Sequence, residues 1–441
     1  MRLLIVISIL TVFSFSEITA QKKTDPRDDF DEGEYFYKRG DYQEAVYYYL
    51  QLLNKFPDNA NYNFKIGECY LKIPGKETYA IPYLEQATKK VVPKKEYNGK
   101  SFDEKDAPLH AYFYLGNAYR INNQLNKALT VYNTFINSPF YWANYNQAIV
   151  ENEIRSCERA KIIQDSPVKY KRELLPGNIN TSATEKDPVV SGNENILVFV
   201  RSLKFYDAIF FTVKENGNWD KPVNISPQIG SDGDFYPTCI SFDGKTLYLV
   251  KNSDSNSDIY ISRFENGLWS KAEKLGWHIN SKSNETHASI SEDGSTLYFT
   301  SDRHKERSGF DIYVSKKDKN GKWGRAKNLG KTINTEYDEA TPFITNDGKT
   351  LFFSSKGHYN MGGYDIFYSN REGKNWSNPI NLGYPVNNTG DNLFFDPVKA
   401  GGVGYMSRTD EEESGNEDIY RYEIYSNLTH LYEMLNNQDK Q

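Results

Sequence analysis

Cysteine is scarce: Cys69, Cys157 and Cys239 are the three in 441 residues. Widely spaced and odd in number, they make no disulfide framework and no metal-ligand spacing, and read as buried free thiols. After the first residues no apolar run is long enough to cross a bilayer. Net charge is −6, spread along the chain without a basic block, so nothing draws the protein to nucleic acid. The histidines (His110, His278, His287, His304, His358 and His430) are scattered. No HExxH, no paired cysteines and no GxSxG nucleophile elbow occur, and His287, close to Glu285, reads as a loop residue rather than a general base. Asp254, Asn256, Asp258 and Glu265 resemble an EF-hand loop in spacing, but Ile259 stands where the sharp turn needs glycine. The sequence therefore points to no catalytic residue, no cofactor and no metal.

What is abundant is aromatic: 34 Tyr and 25 Phe bring aromatic content to 15%. Hydrophobic content of 38% with 25% charged residues is globular, and the length calls for two or three domains. Residues 1–20 carry Arg2, an apolar run from Leu3 to Phe15 and a small-residue end at Ala20, the pattern of a secretory signal peptide. No cysteine near that point offers a lipid acceptor, so the mature protein is expected to be exported without a membrane span.

Residues 27–165 read as helical. Gly33 and Gly67 lie about 34 residues apart, the tetratricopeptide period. The third copy is clearest, with Tyr112, Leu115, Gly116 and Tyr119, then Ala128 and Tyr132. It resembles the tetratricopeptide pattern with Tyr in place of the leading Trp. Small residues at these places let the two helices of a repeat approach, and Pro57 ends a helix because it cannot continue the ladder. Asp29 and Glu32 in the first copy imply a polar outer cap. The polar stretch 91–106 is expected to loop out, and residues 143–164 to form one capping helix, with Ile149, Ile154, Cys157, Ala160 and Ile163 on one face.

From residue 168 to 425 the period changes to alternation, with turn signals about every ten residues. Asp-Gly turns at Asp243, Asp293 and Asp347 each precede a β-rich run. Strand starts follow at Asp207, Asp258, Asp311, Asp365 and Asp418; these carboxylates are expected to accept backbone N–H bonds in the connecting loops. Trp219, Trp269, Trp323 and Trp376 come next; their fixed place favours blade packing over sugar stacking. Each unit closes on an Ile-Asn-like pair. Four strands per unit and five strand starts imply a five-bladed all-β propeller behind a helical tetratricopeptide-repeat solenoid. The last unit lacks its outer strand. Residues 168–180, which end in the same Ile-Asn signature, should supply it and close the ring. Residues 426–441 remain as a C-terminal tail.

The segments at Phe299–Val314 and Ile290–Thr300 resemble the WD40-like repeat of the periplasmic Tol–Pal propeller protein. The glycine pair Gly362–Gly363 would suit kelch repeats, but only one unit has it. A signal peptide, tetratricopeptide repeats and a WD40-like propeller together resemble a family of Bacteroidota envelope proteins. Some members of that family belong to type IX secretion and gliding machinery, and many carry an OmpA-like peptidoglycan-binding domain. The resemblance implies a periplasmic protein, soluble or peripherally associated with the outer membrane. With no such domain before Gln441, direct peptidoglycan binding is not implied here.

In the helical region Phe30, Phe64 and Phe113 each precede a repeat glycine by the same spacing, and Glu34, Glu68 and Asn117 each follow one. An aromatic row edged by polar groups suits a partner's peptide segment; packing between repeats is the equal alternative. The implied function is a non-enzymatic scaffold joining envelope proteins, one in the helical groove and a second on the propeller. The alternative is an extracytoplasmic propeller that binds or processes carbohydrate or another small ligand, with the helices as docking handle.

Overall fold

The structure is a computed structural model, described here for residues 25–425 except 140, 254–255, 305–308, 399–400 and 410–415. Residues 1–20, read from the sequence as a signal peptide, the tail 426–441 and Asp254 lie outside the described residues.

Three helix pairs open the chain: α1 Pro26–Arg39 with α2 Tyr42–Lys55, α3 Ala60–Tyr70 with α4 Ala80–Ala87, and α5 Ala111–Ile121 with α6 Leu125–Ile136. The repeat glycines set the closeness of each pair. A Cβ on Gly116 would stand 2.3 Å from the Tyr132 ring, and one on Gly67 2.5 Å from Leu84, so only glycine lets these helices meet. Asp41 and Asn59 cap α2 and α3 through their side chains. Residues 143–164 are not one helix. A short α7, Tyr141–Asn144, precedes α8, Gln147–Gln164, because Asn146 caps a new start by accepting the Ala148 N–H. Val150, Cys157, Ala160 and Ile163 face the core, whereas Ile149 is exposed. Asp29 also departs from expectation: it is buried and ion-paired to Lys55 at 2.8 Å, joining α1 to α2 rather than forming a polar cap.

Five antiparallel sheets follow, each a blade. The innermost strands, Glu185–Val190, Phe235–Ile240, Glu285–Ile290, Glu339–Ile344 and Asp396–Val398, contact one another around a closed ring. In each Asp-Gly turn the glycine takes a left-handed φ, 72° at Gly244, while Asp243 Oδ1 accepts from Ser241 Oγ and Lys245 N. The recurrent asparagines are clamps. Asn280 binds both the N–H and the C=O of Ile259, Asn334 those of Ile312 and Asn387 those of Ile366, all at 2.8–3.0 Å. The clamp satisfies the N–H that a blade's third strand would otherwise bury unpaired, while each C=O also accepts from a backbone N–H of the following segment.

Closure follows the expected route. The strand Tyr170–Leu174 pairs with Glu417–Ile424 as the outermost strand of the fifth blade. Asn180 completes the joint by clamping Ile419, donating to its C=O at 3.0 Å and accepting its N–H at 2.9 Å. Trp219 and Trp269 are buried, and Trp269 packs on Phe264 of its own blade and Phe211 of the preceding one. The strand-start carboxylates do not share one role. Asp365 accepts the Met361 N–H, but Asp207 binds Lys186, Asp258 binds Lys274 and Asp311 binds Asn328. The three cysteines are buried and free.

Candidate partner-binding surfaces

The polar stretch 91–106 does not loop out. Val91–Val92 pairs in parallel with Ala107–Pro108, drawing its two ends together. The segment between lies over the row of Phe30 and Phe64. Lys105 O accepts the N–H of Ala60 at 2.8 Å, and Glu104 O accepts from Asn59 Nδ2 at 3.0 Å. These bonds occupy orphan groups at the start of α3, which draws the polar segment onto the helix. Phe102 stands edge-on to Phe30 with centroids 6.0 Å apart, and Tyr97 edge-on to Phe64 at 6.4 Å. Phe30 and Phe64 are thereby only 2% and 3% exposed. Phe113, resting against Tyr132 and Phe135, is half-buried and is the member of the row still within a partner's reach.

The polar members are engaged as well. Glu34 accepts from Tyr49 at 2.7 Å and from Lys65 at 2.5 Å. Glu68 accepts from Tyr37, Tyr114 and Lys72. Asn117 accepts from Tyr132 at 2.6 Å. The carboxylates hold adjacent repeats together, and the amide joins the two helices of the third. Burial, reinforced by Glu34 and Glu68, raises the Tyr49 and Tyr37 phenols far above their ordinary value.

A second contact surface lies where the helices meet the propeller. The fourth-blade loop that carries Gly362–Gly363 packs on α8 and α5. Met361 is wholly buried within the helical core, beside half-buried Tyr359 and Tyr384. Around it, Ser156 Oγ donates to Asn360 Oδ1 at 2.7 Å, and Asn152 Nδ2 to Lys356 O at 3.2 Å. Arg120 is buried at this seam. Its Nε stands 2.8 Å from Glu153 Oε2, an ion pair too bent for a hydrogen bond, while its Nη1 donates to Thr389 O. The glycine pair lets this loop lie against the neighbouring propeller loop, whose Thr389 also bonds Arg120 and Ile121 of the helical domain. A Cβ on Gly362 would come within 2.6 Å of Thr389 O, and one on Gly363 within 1.9 Å of Asp391 Oδ1.

On the inner strands Asp187, His287 and Thr341 occupy matched bulges, with φ of 52°, 43° and 45°, and Phe394, just before the fifth inner strand, has a φ of 58°. His287 is therefore a strand residue, not a loop residue. Its ring packs on Phe394 at 5.0 Å and Tyr236 at 6.0 Å, and burial lowers its pKa to about 4. Between the first and fifth blades a cleft of about 530 Å³ is lined by Lys214, Trp219, Tyr405 and Arg421 among others. No group of three or more metal-ligating side chains occurs among the described residues.

Buried carboxyls of the propeller make stability depend on pH. Burial raises Asp396 to about 8, against the lowering effect of the Val190 N–H it accepts. Burial likewise raises Asp365 and Glu339 to about 7. Unfolded carboxyls titrate near 4. Between about pH 4 and 8 the folded state thus holds protons that the unfolded state has released, so stability falls as pH rises through that window. Urea unfolding should give a lower midpoint at pH 8 than at pH 5.5. Asp396→Asn should flatten that difference, and an unchanged slope would refute the assignment.

Residues 30–59 match the tetratricopeptide-repeat model. No curated protein matches the chain. Among solved structures, a TolB from Acinetobacter baumannii is 17% identical over 56% of this chain and 55% of its own, with a TM-score of 0.36. A TolB-type protein from Agrobacterium tumefaciens is 16% identical over 54% of this chain and 74% of its own, TM-score 0.35. The α-L-arabinofuranosidase PaAbf62A of Podospora anserina is 10% identical over 59% of this chain and 98% of its own, TM-score 0.39.

Proposed function

We propose that this chain is a non-enzymatic scaffold that holds protein partners in a fixed relation, working in the bacterial envelope within a secretion- or gliding-associated assembly. The observation that carries this reading is the shared core: Met361 of the propeller is buried among helical-domain residues. Two domains so joined present their surfaces at a constant angle, which a scaffold needs and a flexible docking handle does not. The repeat match and the open end of the aromatic row at Phe113 support a partner segment on the helical domain. The envelope setting rests on the leader-like pattern of residues 1–20 and on the order of the domains.

The test is capture from cross-linked envelopes with paired variants. Phe113→Ser should weaken capture about thirtyfold, as loss of one interface anchor of about 2 kcal/mol does, at nearly unchanged melting temperature. Phe64→Ser should instead cost about 3–5 kcal/mol of stability, because its ring is core. Full capture by a stable Phe113→Ser protein would move the partner away from this row.

A second reading, a small-ligand-binding propeller, is favoured by the cleft beside Trp219 and Tyr405. Its volume falls in the range of ligand sites. A thermal-shift screen with envelope sugars, nucleotides and calcium separates the two readings, since a ligand of the folded state must raise the melting temperature.

A further inference from the structure

The strand that closes the ring leaves an edge unlike those of the other blades. There the outermost pieces are two residues long: Asn218–Trp219, Leu268–Trp269, Lys327–Asn328 and Asn375–Trp376. Tyr170–Leu174 is five residues long, and all but Tyr170 are exposed. Its one strand partner is Glu417–Ile424. The direction of its free groups is fixed by the ends of that pairing. Leu175 N–H donates to Ile419 O, and Lys169 O accepts from Tyr425 N. The odd-numbered residues therefore bond inward, and Tyr170, Arg172 and Leu174 turn their N–H and C=O outward. Among the described residues none of these outward groups meets a strand partner.

We propose that this edge pairs with the same edge of a second copy of the chain, antiparallel, about a two-fold axis at Arg172. In that register Arg172 faces Arg172 of the other copy, and Tyr170 faces Leu174, making about six backbone hydrogen bonds. Lys171 then stands opposite Glu173 of the other copy, twice, in the closely spaced pairs where side-chain charge matters most. Charge complementarity selects the occupant. A protected edge usually carries charges that repel a copy of itself, whereas Lys171 and Glu173 form a self-complementary pair. Both are exposed, with side chains 53% and 46% accessible. The one like-charge meeting is defused, because the Arg172 guanidinium lies over the Tyr420 ring at 4.6 Å, drawn back onto its own sheet. Leu174, 56% exposed, gains Tyr170 of the other copy as cover. Such a two-fold contact is closed and stops at a dimer.

Sedimentation equilibrium of the full chain, from about 10 to 300 µM as befits a small interface, reads the result. Wild type should pass from monomer to dimer and no further. Lys171→Glu, which sets Glu against Glu, and Glu173→Lys, which sets Lys against Lys, should each weaken the dimer about tenfold or more. The double exchange Lys171→Glu with Glu173→Lys should restore it, and an equimolar mixture of the two single variants should form the mixed dimer. Circular dichroism and melting temperature check that each variant keeps its closing strand. A chain that stays monomeric, or a dimer indifferent to these exchanges, overturns the proposal. So does a dimer seen only when the chain is cut after Tyr425, which would assign the edge to residues 426–441.

Discussion

Met361→Asp should split thermal unfolding into two calorimetric transitions, with the helical part melting first. Met361 is fully buried among helical residues although its backbone belongs to the propeller. A carboxylate there would be desolvated with no cation placed to meet it, since Arg120 is already engaged by Glu153 and Thr389. Burying an unpaired charge costs several kcal/mol, enough to part the seam. Once parted, the domains no longer share stabilisation, and protease should cut between Gln164 and Tyr170. Met361→Leu keeps the volume and should cost less than about 1.5 kcal/mol. One transition at the wild-type temperature in Met361→Asp would show that the shared core contributes little.

Asn180→Ala should lower the stability of the whole propeller by about 3–5 kcal/mol. The substitution leaves the N–H of Ile419 buried and unpaired, while Ile419 O keeps the N–H of Leu175. It also frees Leu175 O, which the same amide holds, and each orphaned group costs about 1–3 kcal/mol. Since Asn180 joins the first and last parts of the ring, hydrogen exchange should quicken in the inner strands of all five blades. Asn218→Ala, on an exposed hairpin, serves as the neutral control. Faster exchange confined to Glu417–Ile424 would mean that the blades are independent and the joint is only local.

Much of this fold was legible because its determinants are local and repeated. Gly33, Gly67 and Gly116 mark where helices touch, Asp-Gly turns mark hairpins, and the Ile-Asn-like pairs turned out to be the clamps on four of the five third strands, with Ser226 at the matching place in the first blade. Repetition let a weak signal be read several times, including the missing strand of the last blade. What could not be read was long-range and written once. Nothing in residues 91–106 has a period, so Tyr97 and Phe102 gave no sign that they would cover Phe64 and Phe30. Asp29 looked like a surface residue because Lys55, its partner, lies on the next helix. The candidate row was found by spacing, but spacing does not report what lies on top of it. The Gly362–Gly363 pair was visible as an exception, and its cause is the close approach of the loop at Thr389 and Asp391, nearly thirty residues on.

The clamp of Asn180 on Ile419 spans 239 residues of chain. Every other clamp described joins residues about twenty apart, well within one blade and its neighbour. The order of assembly follows from that difference. Helix pairs and single blades can form from nearby contacts as the chain emerges, but the ring stays open until Glu417–Ile424 arrives. Closing so long a loop is slow compared with forming its parts, so an open ring with a bare sheet edge at each end must persist for a time. In that interval the chain is most exposed to mispairing, and the rate of the last step, rather than the strength of any blade, sets how long the danger lasts.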